Sequence, residues 1–284
     1  MATPLIVTVN EMDLKNNKYI KEYISSKNNQ RVVSLSKLTD KKYRDSERLF
    51  ICEGYKLANE SLTYCSVRYL IISENTVTDD VLLENILKKT CEKSVPVLLL
   101  SEQAFLKLST EKSPQGIISV CDYFDYKLDN SHKNGITLFL DGIRDPGNLG
   151  TIIRSSESFG AREIILFDSA DPYNTKTVRA SMGSIFRIPF REINDPEEEI
   201  NELKKRKIRV LSADISKDSL KLGSYEKRPD DCIVMGNEGH GISDNILKLS
   251  DNILTIPMTG NTESLNVAQA ATCILWDYFR EFHM

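Results

Sequence analysis

Residues 136–167 read ITLFLDGIRDPGNLGTIIRSSESFGAREIILF. The stretch opens on an unbroken apolar run, Ile136–Leu140, and passes through turn-forming residues at Asp141, Gly142, Asp145, Pro146 and Gly147. A helical pattern then begins near Asn148 and stops at Gly160, a residue suited to the left-handed close of a helix. A second apolar run follows at Glu163–Phe167. Short apolar runs bounded by turn residues are the signature of strands buried on both faces. Two such strands joined by a helix form a βαβ unit, which commits the region to an α/β fold.

Working outward, the same alternation continues to the C-terminus. Strand patterns occur at Arg209–Ala213, Cys232–Met235 and Asn252–Ile256. A helix is expected over Pro196–Lys205, with Asp195 as N-cap and Pro196 as its first residue. The last helix is expected over Ser264–Phe282, where Ala268, Ala271, Leu275, Tyr278, Phe279 and Phe282 recur on one face. The C-terminal half therefore predicts a mostly parallel sheet with helices on both faces. Upstream, strand patterns at Leu49–Cys52, Val67–Ile72, Val95–Leu100 and Gly116–Cys121 alternate with helical ones at Tyr55–Leu62, Asp79–Glu92 and Glu102–Leu108. That is a small α/β/α domain, and the polar stretch Asp125–Gly135 reads as a linker. The expected organisation is residues 1–124, a linker 125–135, and a second domain 136–284.

Composition narrows the class. At 284 residues, with 40% apolar and 27% charged side chains, the chain has the make-up of a globular protein. No apolar run reaches the roughly 18 residues of a bilayer span, and Met1–Asn10 lacks the pattern of a secretory signal. A cytoplasmic location is the expectation, with no membrane partner. The six cysteines (Cys52, Cys65, Cys91, Cys121, Cys232, Cys273) include no C-x-x-C pair and read as reduced core residues. Three histidines without metal-ligand spacing predict no bound metal. The net charge is −4, yet Lys15–Arg48 holds ten Lys or Arg against four Asp or Glu. This local excess of +6 marks either an RNA footprint, with Lys41, Lys42, Arg44 and Arg48 its densest part, or a solvated basic helix.

Two nucleotide-binding signatures, G-x-G-x-x-G and G-x-x-x-x-G-K-[ST], are absent. Three other segments carry chemical residues at strand ends, where open α/β sheets place ligands. In the first, Asn148 sits at the expected helix cap and Arg154 lies six residues on. In the second, VMGNEGHGIS (Val234–Ser243), Gly236, Gly239 and Gly241 permit positive φ and close backbone approach, with Glu238 among them. In the third, LTIPMTGNTESLNVAQ (Leu254–Gln269), a strand and polar loop lead to Ser264, Leu265 and Asn266. Taken singly, Ser264 fits an N-cap, and Asn148 and Arg154 fit a cap and a surface cation.

Taken together, the three segments resemble the ordered motifs of the SpoU, or TrmH-like, RNA ribose methyltransferases of the SPOUT class. N-x-G-x-x-x-R is present as Asn148, Gly150 and Arg154, G-x-E-G-x-G as Gly236, Glu238, Gly239 and Gly241. I-P-M followed by S-L-N-V is present as Ile256–Met258 and Ser264–Val267. RLFICEGYKLANES (Arg48–Ser61) and SPQGIISV (Ser113–Val120) are similar to the family's N-terminal RNA-binding domain, which is related in fold to ribosomal protein L30e. The resemblance implies a deep trefoil knot, which general topology rules would have argued against. It also implies a homodimer packed through the final helix, with each site completed across the interface.

The implied activity is S-adenosyl-L-methionine-dependent methylation of a ribose 2′-hydroxyl in structured RNA, ribosomal RNA ahead of transfer RNA. Cofactor contacts would fall to Gly236, Ile256, Met258 and Leu265, and the acceptor side to Asn148, Arg154, Glu238, Ser264 and Asn266. A guanidinium stays protonated at neutral pH, so Arg154 is read as an electrostatic clamp rather than a base. The alternatives are a base methyltransferase, a tRNA enzyme, or a non-catalytic RNA-binding member of the same fold.

Overall fold

The computed structural model describes residues 14–15, 17–76, 80–126, 135–216, 218–260 and 264–284. The N-terminal Met1–Asn10, most of the expected linker and Asp79 lie outside the described residues. The chain forms two compact units. One comprises residues up to Phe124 together with Tyr173–Phe186, and the other comprises residues 125–172 and 187–284.

The first unit is built from β1 (Ile20–Ile24), α1 (Gln30–Ser36), α2 (Lys41–Glu47), β2 (Leu49–Glu53), α3 (Tyr55–Tyr64), β3 (Val67–Ser73), α4 (Asp80–Glu92), β4 (Val97–Leu100), α5 (Glu102–Leu106) and β5 (Ile117–Asp122). Its sheet has the order β1-β4-β3-β5-β2, with β5 antiparallel to both neighbours. Alternation along the strands sends side chains to two faces. Ile71, Leu98 and Leu100 meet Leu35 of α1 and Phe105 of α5 on one side. Leu70, Ile72 and Leu99 meet Leu62 of α3 and Ile86 of α4 on the other. The α/β/α reading holds. The sequence did not mark β1, whose IKEYI mixes charge with half-exposed positions, nor the two seven-residue helices after it.

The second unit holds β6 (Thr137–Asp141), α6 (Pro146–Ser158), β7 (Glu163–Phe167), β8 (Phe190–Ile193), α8 (Pro196–Lys205), β9 (Val210–Ala213), β10 (Leu220–Lys221), β11 (Cys232–Met235), α9 (Asp244–Leu249), β12 (Asn252–Thr255) and α10 (Val267–His283). Between β7 and β8 the chain leaves it, and α7 (Thr175–Ala180) packs against β2 of the first unit. The sheet order is β10-β12-β9-β11-β6-β7-β8, and every pair is parallel. The chain builds outward from β6 through β7 to β8, then crosses over to β9. It returns to fill the gap between β9 and β6 with β11. That reversal is the topological switch where a crevice opens at the carboxyl ends of strands.

Local chemistry explains the helices that frame this crevice. Asp145 is the N-cap of α6, its carboxylate accepting the Asn148 amide at 2.9 Å, and Pro146 occupies the first turn. The helix thus begins ahead of the expected Asn148, which lies inside the first turn rather than at the cap. Asn266 caps α10 by accepting from the amides of Ala268 and Gln269. The final helix therefore starts at Val267, and Ser264 is not its cap. Asp195 caps α8 as expected, with Glu197–Glu199 at the positive end of the helix dipole and Lys204 and Lys205 at the negative end. Ile200 and Leu203 of α8 and Ile246 of α9 bury Phe139, Ile165 and Val234 on one face of the sheet. Leu138 and Leu140, pointing the other way, are equally buried, and α6 packs there with Ala271, Ile274 and Leu275 of α10. At the amino ends of the strands, buried Asp231 accepts from Arg209 and from the Tyr278 hydroxyl, tying β9, β11 and α10 together.

All six cysteines are free, but only Cys52, Cys121 and Cys232 are core residues. Cys91 on α4 and Cys273 on α10 are exposed, and Cys65 is half-buried, a correction to the uniform core reading. Burial pushes the Cys52, Cys121 and Cys232 thiols up, so they persist as neutral apolar groups.

Candidate active site

A cleft of about 370 Å³ opens at the carboxyl ends of β9, β11 and β12, within the size range of small-molecule sites. Its floor is the turn after β11. Asn237 N donates to Gly241 O at 2.8 Å and Gly241 N returns to Asn237 O at 2.9 Å, closing a miniature hairpin. The Asn237 side chain fixes this turn twice: its Nδ2 donates to Gly142 O at 2.7 Å, and its Oδ1 accepts from the amides of Gly239 and His240. Asp141, nearly buried at the end of β6, accepts from both the amide and the hydroxyl of Ser243 on the far side of the turn. Gly236 is required for a reason the sequence did not reveal. A Cβ there would lie 2.4 Å from the Gly241 carbonyl carbon and 2.5 Å from Ile242 N. The close backbone approach is within the turn itself. Of the three glycines, only Gly241 has positive φ.

All four expected cofactor contacts, Gly236, Ile256, Met258 and Leu265, line this cleft, as do Glu238, Ser264 and Asn266. At its mouth three side chains from three separate sequence segments are joined. Asn148 Nδ2 donates to Glu238 Oε1 at 2.6 Å, and Asn266 Nδ2 donates to Asn148 Oδ1 at 3.1 Å. Asn148 is thereby locked in one amide orientation by a carboxylate on one side and a helix cap on the other. Residues that the sequence reading missed also line the cleft: Ala213, Asp214 and Ile215 at the end of β9. Their one available signal was position, since the residues after any parallel strand at the switch point face the crevice.

Arg154 stands apart from this group. It is exposed on α6, and among the described residues it has no hydrogen bond or ion pair. The neighbouring Ser155 is hydrogen-bonded to Thr272 of α10 at 2.7 Å, so Arg154 flanks the seam between those two helices.

The expected RNA-contacting residues divide. Lys41, Lys42 and Arg48 are exposed; Lys41 pairs with Asp45 at 3.5 Å, and Arg48 stacks its guanidinium 5.0 Å from the Tyr123 ring. Arg44 is a correction: it is 2% exposed, and its Nη1 donates to Leu38 O at 2.7 Å inside the fold. The turn of α2 that carries it faces the core, so Arg44 serves packing and not a phosphate. Among the described residues no group of three or more His, Cys, Asp or Glu is placed to hold a metal ion, and no helix is long and apolar enough to cross a membrane.

The residues of the cleft fit S-adenosylmethionine. The backbone of the Gly236–Gly241 turn and the apolar walls of Leu254, Ile256 and Val267 suit an adenosine, and the carboxylates of Asp214 and Glu238 suit its positive charges.

Comparison with known proteins agrees with this geometry. Residues 135–276 match the model of the SpoU rRNA Methylase family, and residues 29–119 match an MRM3-like substrate binding domain. The 23S rRNA (guanosine(2553)-2′-O)-methyltransferase RlmP of Bacillus subtilis is 34% identical over 258 residues, covering 89% of this chain and 97% of that protein. Among solved structures, an AdoMet-bound rRNA methyltransferase from Sinorhizobium meliloti superposes with a TM-score of 0.81 at 29% identity, over 94% of this chain and 100% of that one. The SpoU methyltransferase AviRb from Streptomyces viridochromogenes, in complex with AdoMet, gives 0.78 at 25% identity, over 89% and 98%. The chain belongs to the SpoU rRNA methylase family of S-adenosylmethionine-dependent methyltransferases.

Proposed function

We propose that this enzyme methylates a ribose 2′-hydroxyl of ribosomal RNA, and that the hydrogen-bonded group Asn148–Glu238–Asn266 at the cleft mouth is its acceptor side. That group carries the reading, because it joins three distant segments at the edge of the cofactor cleft. S-adenosylmethionine, bound along Gly236, Ile256, Met258 and Leu265, supplies a methyl already activated by a positively charged sulfur. The protein's task is then to hold a hydroxyl in line and manage its proton. Asn148 is held rigid by its two partners and orients the ribose. Among the described residues Glu238 Oε2 has no hydrogen-bond partner, and in this reading it accepts the hydrogen bond of the 2′-hydroxyl. Ser264, exposed at the rim, contacts the same nucleotide.

Arg154 completes the site as an electrostatic clamp on a phosphate and on the developing alkoxide. Its exposure, its absence from the Asn148 hydrogen-bonded group and its place beside α10 suit delivery to the site of a second copy. We infer a homodimer through the outer face of α10, supported by exposed Trp276, which packs with half-buried Phe279 and Phe159 into one aromatic cluster. The trefoil knot rests on membership of the family, and the strand order, in which β11 enters between β9 and β6, accommodates it. The first unit is the RNA-binding domain in this reading, with Lys41, Lys42 and Arg48 as phosphate contacts, and the substrate implies a cytoplasmic location. The test is transfer of labelled methyl from S-adenosylmethionine to ribosomal RNA from cells lacking the protein, followed by 2′-O-methyl mapping. A new 2′-O-methyl ribose is expected. Methylation of a base alone, or of transfer RNA alone, would overturn the reading.

A further inference from the structure

The first unit contains a cavity of about 220 Å³, separate from the cofactor cleft. We propose that it receives a single unstacked nucleotide of the RNA substrate; this rests on the RNA-methyltransferase reading above and extends it to how the substrate is recognised. Two apolar side chains form its walls. Leu57 comes from the first turn of α3, and Met182 comes from the turn after α7. Met182 has φ of +52° and is 39% exposed. A left-handed conformation is strained at a large apolar residue and persists where the surroundings demand it. Here it holds a polarizable thioether at the rim of a cavity, a surface suited to the face of a planar ring.

The polar groups around this apolar slot are of two kinds. Gln115 spends its Oε1 on the Tyr55 amide at 2.9 Å, which fixes the side chain and leaves Nε2 without a partner among the described residues. Ser113, exposed like Gln115, brings a hydroxyl to the same lining. These are a donor and a donor-acceptor next to an apolar wall, the combination that reads the edge of an unstacked base. At the rim stand Lys56 and Arg179, both exposed. Two carboxylates also line the cavity, and both are engaged. Glu53 accepts from the Ser109 hydroxyl and the Thr110 amide, and Glu111 pairs with Arg179. Lys56 lies 4.0 Å from Glu60, a loose contact that leaves its ammonium able to meet a phosphate. Apolar slot, edge-reading groups and the Lys56 ammonium match base and phosphate of one nucleotide, and the volume suits one rather than two.

The sequence supplies its own reporters for the test. With methyl-¹³C methionine in the full-length protein, the Met182 methyl reports the cavity, while Met235 and Met258 line the cofactor cleft. Each of the four nucleoside 5′-monophosphates is added at roughly millimolar concentration, the affinity expected of a ligand so small. Inorganic phosphate and S-adenosylmethionine are the controls. At least one nucleotide should shift Met182, and the shift should weaken by about tenfold in titration midpoint in Gln115→Leu or in Lys56→Ala. S-adenosylmethionine should move Met235 and Met258 and leave Met182 in place. No response of Met182 to any nucleotide, or a response equal to that of inorganic phosphate and indifferent to Gln115→Leu, would overturn the proposal. Failure of S-adenosylmethionine to move Met235 and Met258 would instead strike at the cofactor assignment, so the two readings fail separately.

Discussion

Replacing Gly236 by alanine tests how the cofactor cleft is built. The added methyl would sit 2.4 Å from the Gly241 carbonyl carbon and 2.5 Å from Gly241 O, and both are backbone atoms with no rotamer to change. Relief requires Gly241 to withdraw, which breaks the reciprocal Asn237–Gly241 hydrogen bonds. Two such bonds are worth about 1 kcal/mol each net, and overpacking adds about 1–3 kcal/mol. A total of roughly 3–5 kcal/mol is less than the ~5–15 kcal/mol that holds a typical domain together. The turn should therefore open while the unit stays folded. At about 1.4 kcal/mol per factor of ten, S-adenosylmethionine affinity should fall on the order of 100-fold or more. The neighbouring glycines calibrate the result. A methyl at Gly239 would meet nothing nearer than Asn237 Oδ1 at 3.5 Å, so Gly239→Ala should bind within about threefold of wild type. Gly241 has φ of +71° with open space around it, so Gly241→Ala should lose about tenfold from backbone strain alone. Calorimetric titration with S-adenosylmethionine, with thermal unfolding run alongside, gives the ranking. Wild-type affinity in Gly236→Ala, or equal losses at all three positions, would refute the reasoning.

Four further outcomes are expected. Arg154→Ala should lower single-turnover methylation by about 10²-fold with cofactor affinity unchanged, and Arg154→Lys should recover little, because a point charge lacks the planar fork. Lys41→Ala, Lys42→Ala and Arg48→Ala should each flatten the salt dependence of RNA binding by somewhat less than one unit of slope, measured by filter binding at several ionic strengths. Arg44→Ala should leave that slope alone and lower the denaturation midpoint instead, by about 1–3 kcal/mol for a buried carbonyl left without its donor. Burial pushes the Tyr225 hydroxyl up to about 12 from its ordinary 10, so its contribution to stability is complete below pH 10 and is lost as pH rises towards 12. Alkaline unfolding followed by circular dichroism should be shallower across that window in Tyr225→Phe.

The parts of the site that could be read in the sequence were those carried by turn chemistry. Asn148, Glu238 and Asn266 each follow an apolar strand in a stretch of glycines, prolines or short polar residues, and the fold joins all three. Asp214 and Ile215 were not legible, since Ala-Asp-Ile-Ser carries no turn or ligand signature and faces the cleft because β9 borders the crossover. Helix registers slipped where two polar residues competed for one cap. Asp145 outcompeted Asn148 through Pro146, which favours the first turn, and Asn266 outcompeted Ser264. Arg44 could not be told from its basic neighbours, because a seven-residue helix has too few apolar positions to declare its inward face. The strand β8, FREI, carries two charges and half-buried positions in place of an apolar run, and β10, at two residues, is too short to show any period.

The passage of Tyr173–Phe186 into the first unit has a consequence for how the protein is made. Phe50, fully buried on β2, packs its ring 4.9 Å from that of Tyr173, and Tyr173 stacks on Tyr123 at 3.7 Å. A nascent chain that has released only its first 124 residues holds the sheet of this unit but not the aromatic lid over its edge. Domains otherwise tend to fold in order of synthesis; this one waits for about 60 further residues to leave the ribosome, among them β6, α6 and β7 of its neighbour. A fragment cut at the linker would carry the same deficiency permanently, with Phe50 and Tyr123 bared to water. Such a fragment should self-associate, and the shortest soluble form of the first unit should be one to which the segment 173–186 is supplied back.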